Sequence, residues 1–151
     1  MSTLLQGSEL RTLNYGRRVS KSTGTLAAST VALFTVAGGR VALTSIYGVV
    51  GTAITVANSY QLQHNPTSGT TVALFAAIDL GTTDTAAGEL LGFTGDSGGS
   101  LLAIGGAVET LRAPIVLAVG QIESVSAGTD GEITWVVTWV PLDDAATLVA
   151  V

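Results

Sequence analysis

Between Ile133 and Val140 the chain alternates without a break. Ile133, Trp135, Val137 and Trp139 fall on one side of an extended backbone, and Thr134, Val136, Thr138 and Val140 fall on the other. A period of two over eight residues is the signature of a strand, and it places both tryptophans on one face of a sheet. That face is either packed into the core or displayed as an aromatic platform for a sugar or a partner. Similar runs occur upstream, where Val31-Ala32-Leu33-Phe34-Thr35-Val36 and Arg40-Val41-Ala42-Leu43-Thr44-Ser45-Ile46-Tyr47 flank Gly38-Gly39, a hairpin signal. Composition agrees: 47% of residues are apolar and only 5% aromatic, and 21 threonines with 19 glycines suit pleated strands joined by tight turns. A chain of 151 residues is the size of one domain, able to bury roughly 70% of its unfolded surface.

The remaining punctuation extends the pattern. Gly48 and Gly51 predict a bend or bulge between Val49 and Val56. Ser59 to His64 reads as a strand closed by the turn Asn65-Pro66-Thr67-Ser68-Gly69, in which Pro66 removes a donor. Thr70 to Leu80 is another apolar run, Gly81 to Gly88 a polar loop, and Glu89 to Phe93 a short strand. Gly95 to Gly106 reads as a glycine-rich loop, Pro114 to Gly120 as a strand that Gln121 to Ser126 continues, and Thr129-Asp130-Gly131 as a type I′ hairpin turn. The expected fold is all-β, a single-domain antiparallel β-sandwich of about seven or eight short strands with a jelly-roll-like topology. Residues 1–22 show neither a helical stripe nor strand alternation and are expected to be an extended basic arm. Residues 23–144 then form the sandwich and residues 145–151 a short C-terminal tail.

Charge is divided along the chain. Residues 1–22 hold Arg11, Arg17, Arg18 and Lys21 against Glu9, a net of +3; residues 23–151 hold Arg40 and Arg112 against ten acids, a net of −8; the sum is the −5 of the whole chain. A basic leader before an acidic body argues against nucleic-acid binding, since such a body repels phosphates. No run approaches the ~20 apolar residues of a spanning helix, so no membrane partner is expected. Gly16-Arg17-Arg18-Val19-Ser20-Lys21 has a twin-arginine flavour, but the apolar residues behind it read as a first strand, and the expected product is cytosolic and intact.

Little in the chain points to bond chemistry. There are no cysteines and a single histidine, which removes thiolate nucleophiles and Cys-based zinc sites. His64 reads as a partly exposed turn residue, with a ligand role as the minor alternative. Gly95-Asp96-Ser97-Gly98-Gly99 matches the string around the nucleophile of chymotrypsin-like proteases. However, Ser97 would need a general base, and the only imidazole, His64, lies in an unrelated context, so no enzyme activity is expected. Asp79, Asp84, Glu89 and Asp96 could converge on calcium, but no EF-hand spacing exists and a solvated acidic rim is the simpler reading. Asp143-Asp144 reads as a solvated pair, and no phosphate-binding loop is present. No metal or cofactor is expected. The candidate partner-binding residues are Arg11, Tyr15, Arg17, Arg18 and Lys21 of the arm. They form either a solubilising tail or an arm that reaches onto another subunit, where arginine forks carboxylates. Removing residues 2–22 is expected to leave the body folded.

Four segments carry a resemblance: Leu33 to Val41 with its continuation to Ile54, Asn65 to Thr70, Gly88 to Gly95, and Gly131 to Asp144. Through these the chain resembles a group of small virion proteins of tailed bacteriophages. The resemblance implies a structural role without catalytic residues, on the virion, most simply as a capsid decoration or cement protein. Its partners would then be the major capsid protein and copies of itself, with a trimer expected by analogy. Such a protein would be made in the host cytoplasm and located on the capsid surface. A tail or baseplate component, or a glycan- or receptor-binding module using Trp135, Trp139, Tyr47 or Tyr60, is the alternative.

Overall fold

The computed structural model describes residues 4, 6–94 and 102–151. Among these, one helix, α1 (Gly7–Tyr15), precedes twelve strands: β1 (Arg17–Thr25), β2 (Ser29–Ala37), β3 (Val41–Thr52), β4 (Ser59–Pro66), β5 (Val72–Ala73), β6 (Ile78–Asp79), β7 (Leu90–Phe93), β8 (Leu102–Gly105), β9 (Ile115–Leu117), β10 (Gly120–Ser126), β11 (Glu132–Pro141) and β12 (Thr147–Ala150). They form two antiparallel sheets. The first has the order β1-β11-β3-β7-β8, with β9 on β3, and the second has the order β12-β2-β10-β4-β5, with β6 on β4. The sheets pack face to face around one apolar core, so the expected all-β sandwich is correct.

The two glycine turn signals mark corners and not hairpins. β2 lies in the second sheet and β3 in the first, so Gly38-Gly39 carries the chain across the sandwich; the Asp130-Gly131 link does the same between β10 and β11. Turn chemistry reports a reversal of direction and does not fix which sheet the next strand joins. At the first corner Gly38 has φ 73°, and a Cβ there would collide with the Ala145 carbonyl, so both backbone conformation and close approach require glycine. Arg40 then clasps the corner between β11 and β12: its Nε and Nη2 donate to Asp143 at 3.0 and 2.9 Å, and its backbone N–H donates at 2.7 Å. Asn65 to Gly69, by contrast, does close a hairpin, between β4 and β5.

Other expectations are revised. Pro114 to Ser126 is not one strand, because β9 pairs with β3 in the first sheet and β10 belongs to the second. The run from Thr70 to Leu80 makes only the two-residue strands β5 and β6; its apolar Leu74 and Phe75 are buried plugs between them. Part of the stretch read as a glycine-rich loop is strand β8. Residues 145–151 are not a free tail, since β12 pairs along β2. Gly51 does mark a bulge: Thr52 pairs with Glu132 and Val50 with Ile133, leaving Gly51 unpaired between them.

The tryptophan face of β11 turns inward. Trp135 is fully buried and Trp139 nearly so, which corrects the aromatic-platform alternative. Tyr60 of β4 reaches across from the second sheet and stacks on Trp135, with planes 5° apart and centroids at 6.2 Å. Trp135 Nε1 donates to the Tyr60 hydroxyl at 2.7 Å, and Ser124 of β10 donates to the same oxygen at 2.9 Å. Phe75 completes the cluster, 5.9 Å from Trp135 and edge-on to Phe93 at 5.3 Å. Tyr60→Phe is predicted to cost about 1–3 kcal/mol, because it strands the indole N–H in an apolar interior. Trp135→Ala is predicted to cost about 3–5 kcal/mol through the cavity it leaves. Urea unfolding followed by far-UV circular dichroism measures both, and the ranking fails if Tyr60→Phe is neutral.

Candidate functional site

The stretch expected to be an extended arm is a helix followed by a strand. Glu9 accepts a hydrogen bond from the Gln6 backbone N–H at 2.7 Å, half of a capping box, and its charge sits favourably in the first helical turn. Gly16, at φ 93°, ends the helix, and its N–H donates to the Thr12 carbonyl at 2.9 Å. The chain then enters β1, which pairs with β11 from Arg17 opposite Trp139 to Thr25 opposite Glu132. Deleting residues 2–22 would therefore remove most of an edge strand, and the expectation that the body survives it intact is corrected. The signal for this strand is weak because its residues are polar and basic, the composition that protects a sheet edge from unwanted pairing.

Pairing to β11 separates the five candidate residues. Arg17 and Lys21 share the side of Trp139 and Trp135, and Arg17 lies over the Trp139 ring, 5.5 Å from its centroid. Arg18 points to the outer side of the first sheet. There it meets Arg11 and Tyr15 across an open cleft of about 410 Å³ between α1 and the sheet, with Ser8, Thr12, Ser45 and Thr138 completing the lining. The Thr44 hydroxyl holds the helix end by donating to the Tyr15 carbonyl, and lies 2.8 Å from the Thr138 hydroxyl. Among the described residues the only ion pairs are Arg40–Asp143 and Arg112–Glu109. The cations of α1 and β1 therefore have no acidic partner within the described chain.

Helix α1 is oriented against the usual rule. Ser8, Arg11, Thr12 and Tyr15, at spacings of three, four and seven, face the chain's own sheet. Leu10 and Leu13 lie on the opposite side, 47% and 71% exposed. A surface helix ordinarily turns its apolar stripe to the core and its polar side to water. Sequence reading missed this because Leu10 and Leu13 are too few to form a stripe without the caps at Gln6, Glu9 and Gly16.

The residues considered for chemistry do not assemble. His64 lies in β4 and is buried, not in an exposed turn; its Nδ1 is 3.2 Å from the Gln121 carbonyl, and burial pulls its pKa down. The Gly95-Asp96-Ser97-Gly98-Gly99 string lies outside the described residues. Among the described residues no group of three or more His, Asp or Glu is placed to hold a metal, and no helix is long and apolar enough to cross a membrane. Asp79 accepts from the backbone N–H groups of Asn58, Gly81 and Thr82 and from the Thr82 hydroxyl, so its oxygens are occupied by the fold itself. Asp130 similarly holds Thr55 and Val56 of a neighbouring corner. Comparison of the chain with protein-family models, with curated proteins and with solved structures gave no match in any of the three.

Hydrogen bonds from Thr82 and the Asn58 backbone hold the Asp79 carboxyl at a pKa of about 2, and those from Arg40 hold Asp143 at about 2. Both pKa values are depressed on folding, so their contribution to stability is complete above the unfolded carboxyl pKa of ~3.9 and is lost as pH falls toward 2. His64, also depressed, adds stability that is complete above ~6.5 and declines as pH falls below it. Urea midpoints measured against pH are predicted to fall in two stages. His64→Gln should remove the upper stage, and Asp143→Asn should flatten the lower; a profile unaltered by either substitution contradicts the assignment.

Proposed function

We propose that this chain is a structural protein of a tailed-phage virion, most simply a capsid decoration protein that binds the outer major capsid shell and stabilises it. The observation that carries the reading is the N-terminal element. A helix joined to edge strand β1 of the sandwich turns Leu10 and Leu13 outward and sets Arg11 and Arg18, without ion-pair partners among the described residues, beside a cleft. Such an element is suited to adhesion, with apolar side chains for burial and arginine for carboxylates on a neighbouring subunit. The resemblance of residues 33–54, 65–70, 88–95 and 131–144 to phage virion proteins supports the same reading.

The topology is read as a jelly roll. Support comes from the strand order: taking the eight strands β1, β2, β3, β4, β5, β7, β10 and β11, one sheet is β1-β11-β3-β7 and the other β2-β10-β4-β5. The remaining strands extend these sheets at their margins. Homo-oligomerisation, with a trimer as the simplest form, and a life cycle running from host cytoplasm to capsid surface complete the proposal. A place in the tail or baseplate would use the same adhesive helix. A glycan-binding role is less well supported, since Trp135, Trp139 and Tyr60 are buried.

Mass spectrometry and electron cryomicroscopy of purified particles test the proposal, and density for this sandwich on the shell is the expected result. Added back to stripped, expanded heads, the full chain should bind, whereas a form lacking residues 2–13, which keeps β1, should remain folded and occupy roughly tenfold fewer sites at equal concentration. Absence from the particle, or equal occupancy by the truncated form, overturns the reading. The absence of catalysis is tested separately with a serine-directed fluorophosphonate: no labelling is expected, and covalent attachment at Ser97 would contradict a purely adhesive role.

A further inference from the structure

We infer that copies of this chain associate head to tail, the helix-bearing end of one seated on the opposite, acidic end of the next. Strand register places the charges. At one end of the sandwich, Thr25, Glu132 and Thr52 lie in register, and Glu89 meets Val50 through backbone bonds. The Ile54–Thr85 bridge brings Asp84 there, while Asp130 holds Thr55 and Asp79 holds Asn58. Asp79, Asp84, Glu89, Asp130 and Glu132 thus gather at this end; Asp79, Asp130 and Glu132 accept hydrogen bonds from the fold itself, so Asp84 and Glu89 are the carboxylates offered to a partner, and Lys21 lies midway along β1 beside the Ser22 that donates to Glu132. The other end, where Arg17 pairs with Trp139 and Val41 with Pro141, carries Arg11, Arg17, Arg18 and Arg40 against Glu9, Asp143 and Asp144. Asp143 is already taken by Arg40.

The apolar surface is distributed to match. Leu10 and Leu13 are exposed on a nine-residue helix that joins β1 at the basic end. Isolated helices shorter than ~12–15 residues are marginal in water, and this one directs only polar side chains at its own sheet. The acidic end offers Val56, 47% exposed, and the exposed Ala86 and Ala87, which follow Asp84 in the same loop. A second copy therefore supplies both what the leucines lack, a small-residue apolar seat, and what the arginines lack, carboxylates. Two different surfaces meet, so the contact is heterologous, and it closes into a ring if the rotation allows and otherwise propagates. The inference does not depend on where an assembly sits in a particle.

The test uses the full chain in analytical ultracentrifugation over a concentration series at low and high salt. Two variants are compared: a head variant, Leu10→Gln/Arg11→Gln/Leu13→Gln, and a tail variant, Asp84→Lys/Glu89→Lys. Each must keep the wild-type circular dichroism and tryptophan emission. The wild type is expected to form species larger than a dimer that weaken with salt, and each variant alone to associate roughly tenfold less tightly. Mixed one to one, the variants should form heterodimers and stop there, because each pair retains a single intact head-to-tail contact. A monomeric wild type, a variant that assembles alone as the wild type does, which would show that like surfaces meet, or a mixture that fails to pair would overturn the inference.

Discussion

The sandwich is held in register across its layers by one polar contact in an apolar interior, the Tyr60 hydroxyl that receives both Trp135 and Ser124. Apolar packing alone would let two faces slide over each other at small cost. A buried oxygen that must satisfy an indole from the facing sheet and a serine from the adjacent strand admits few alternative alignments. Burial pushes the Tyr60 phenol pKa up, so the group stays neutral in this setting. The position of β11 follows from this contact, and with it the position of β1 and the helix that β1 carries.

The acids serve the fold in a second way, as clasps between corners. Asp143 ties the β2–β3 turn to the β11–β12 turn through Arg40, Asp130 ties the β10–β11 link to Thr55 and Val56, and Asp79 ties the start of β4 to the loop after β6. In each case a carboxylate accepts backbone N–H groups that a connection between sheets would otherwise leave without partners. These carboxylates keep their charge, and their uneven placement gives the molecule its electrically distinct ends. A single set of residues therefore closes the corners and sets the long-range field of the surface.

The strand class of the chain could be read directly, because alternation at Ile133 to Val140 and at Val31 to Val36 is a local property of the backbone. Which strands share a sheet could not. Gly38-Gly39 and Asp130-Gly131 announce reversals, and only the pairing of β2 with β10 and β12, and of β3 with β11, shows that each reversal spans the sandwich. Of the candidate site, Arg11, Tyr15 and Arg18 do converge on one cleft, while Arg17 is drawn to Trp139 and Lys21 lies opposite Trp135. The helix was hidden because Leu10 and Leu13, between caps at Gln6, Glu9 and Gly16, are too few to make an apolar stripe. Strand β1 was hidden because an edge strand rich in charge looks like solvent-facing coil.

The order of the strands also governs when the molecule can become ordered as it leaves the ribosome. β10 lies between β2 and β4, and β11 between β1 and β3. Once β4 has been made, the nascent chain thus holds four strands whose central partners have not yet been translated, and neither layer can be completed until β10 and β11 emerge. Folding of this kind is dominated by contacts between distant segments and is correspondingly slow, so the growing chain stays open to chaperones until both central strands have been made.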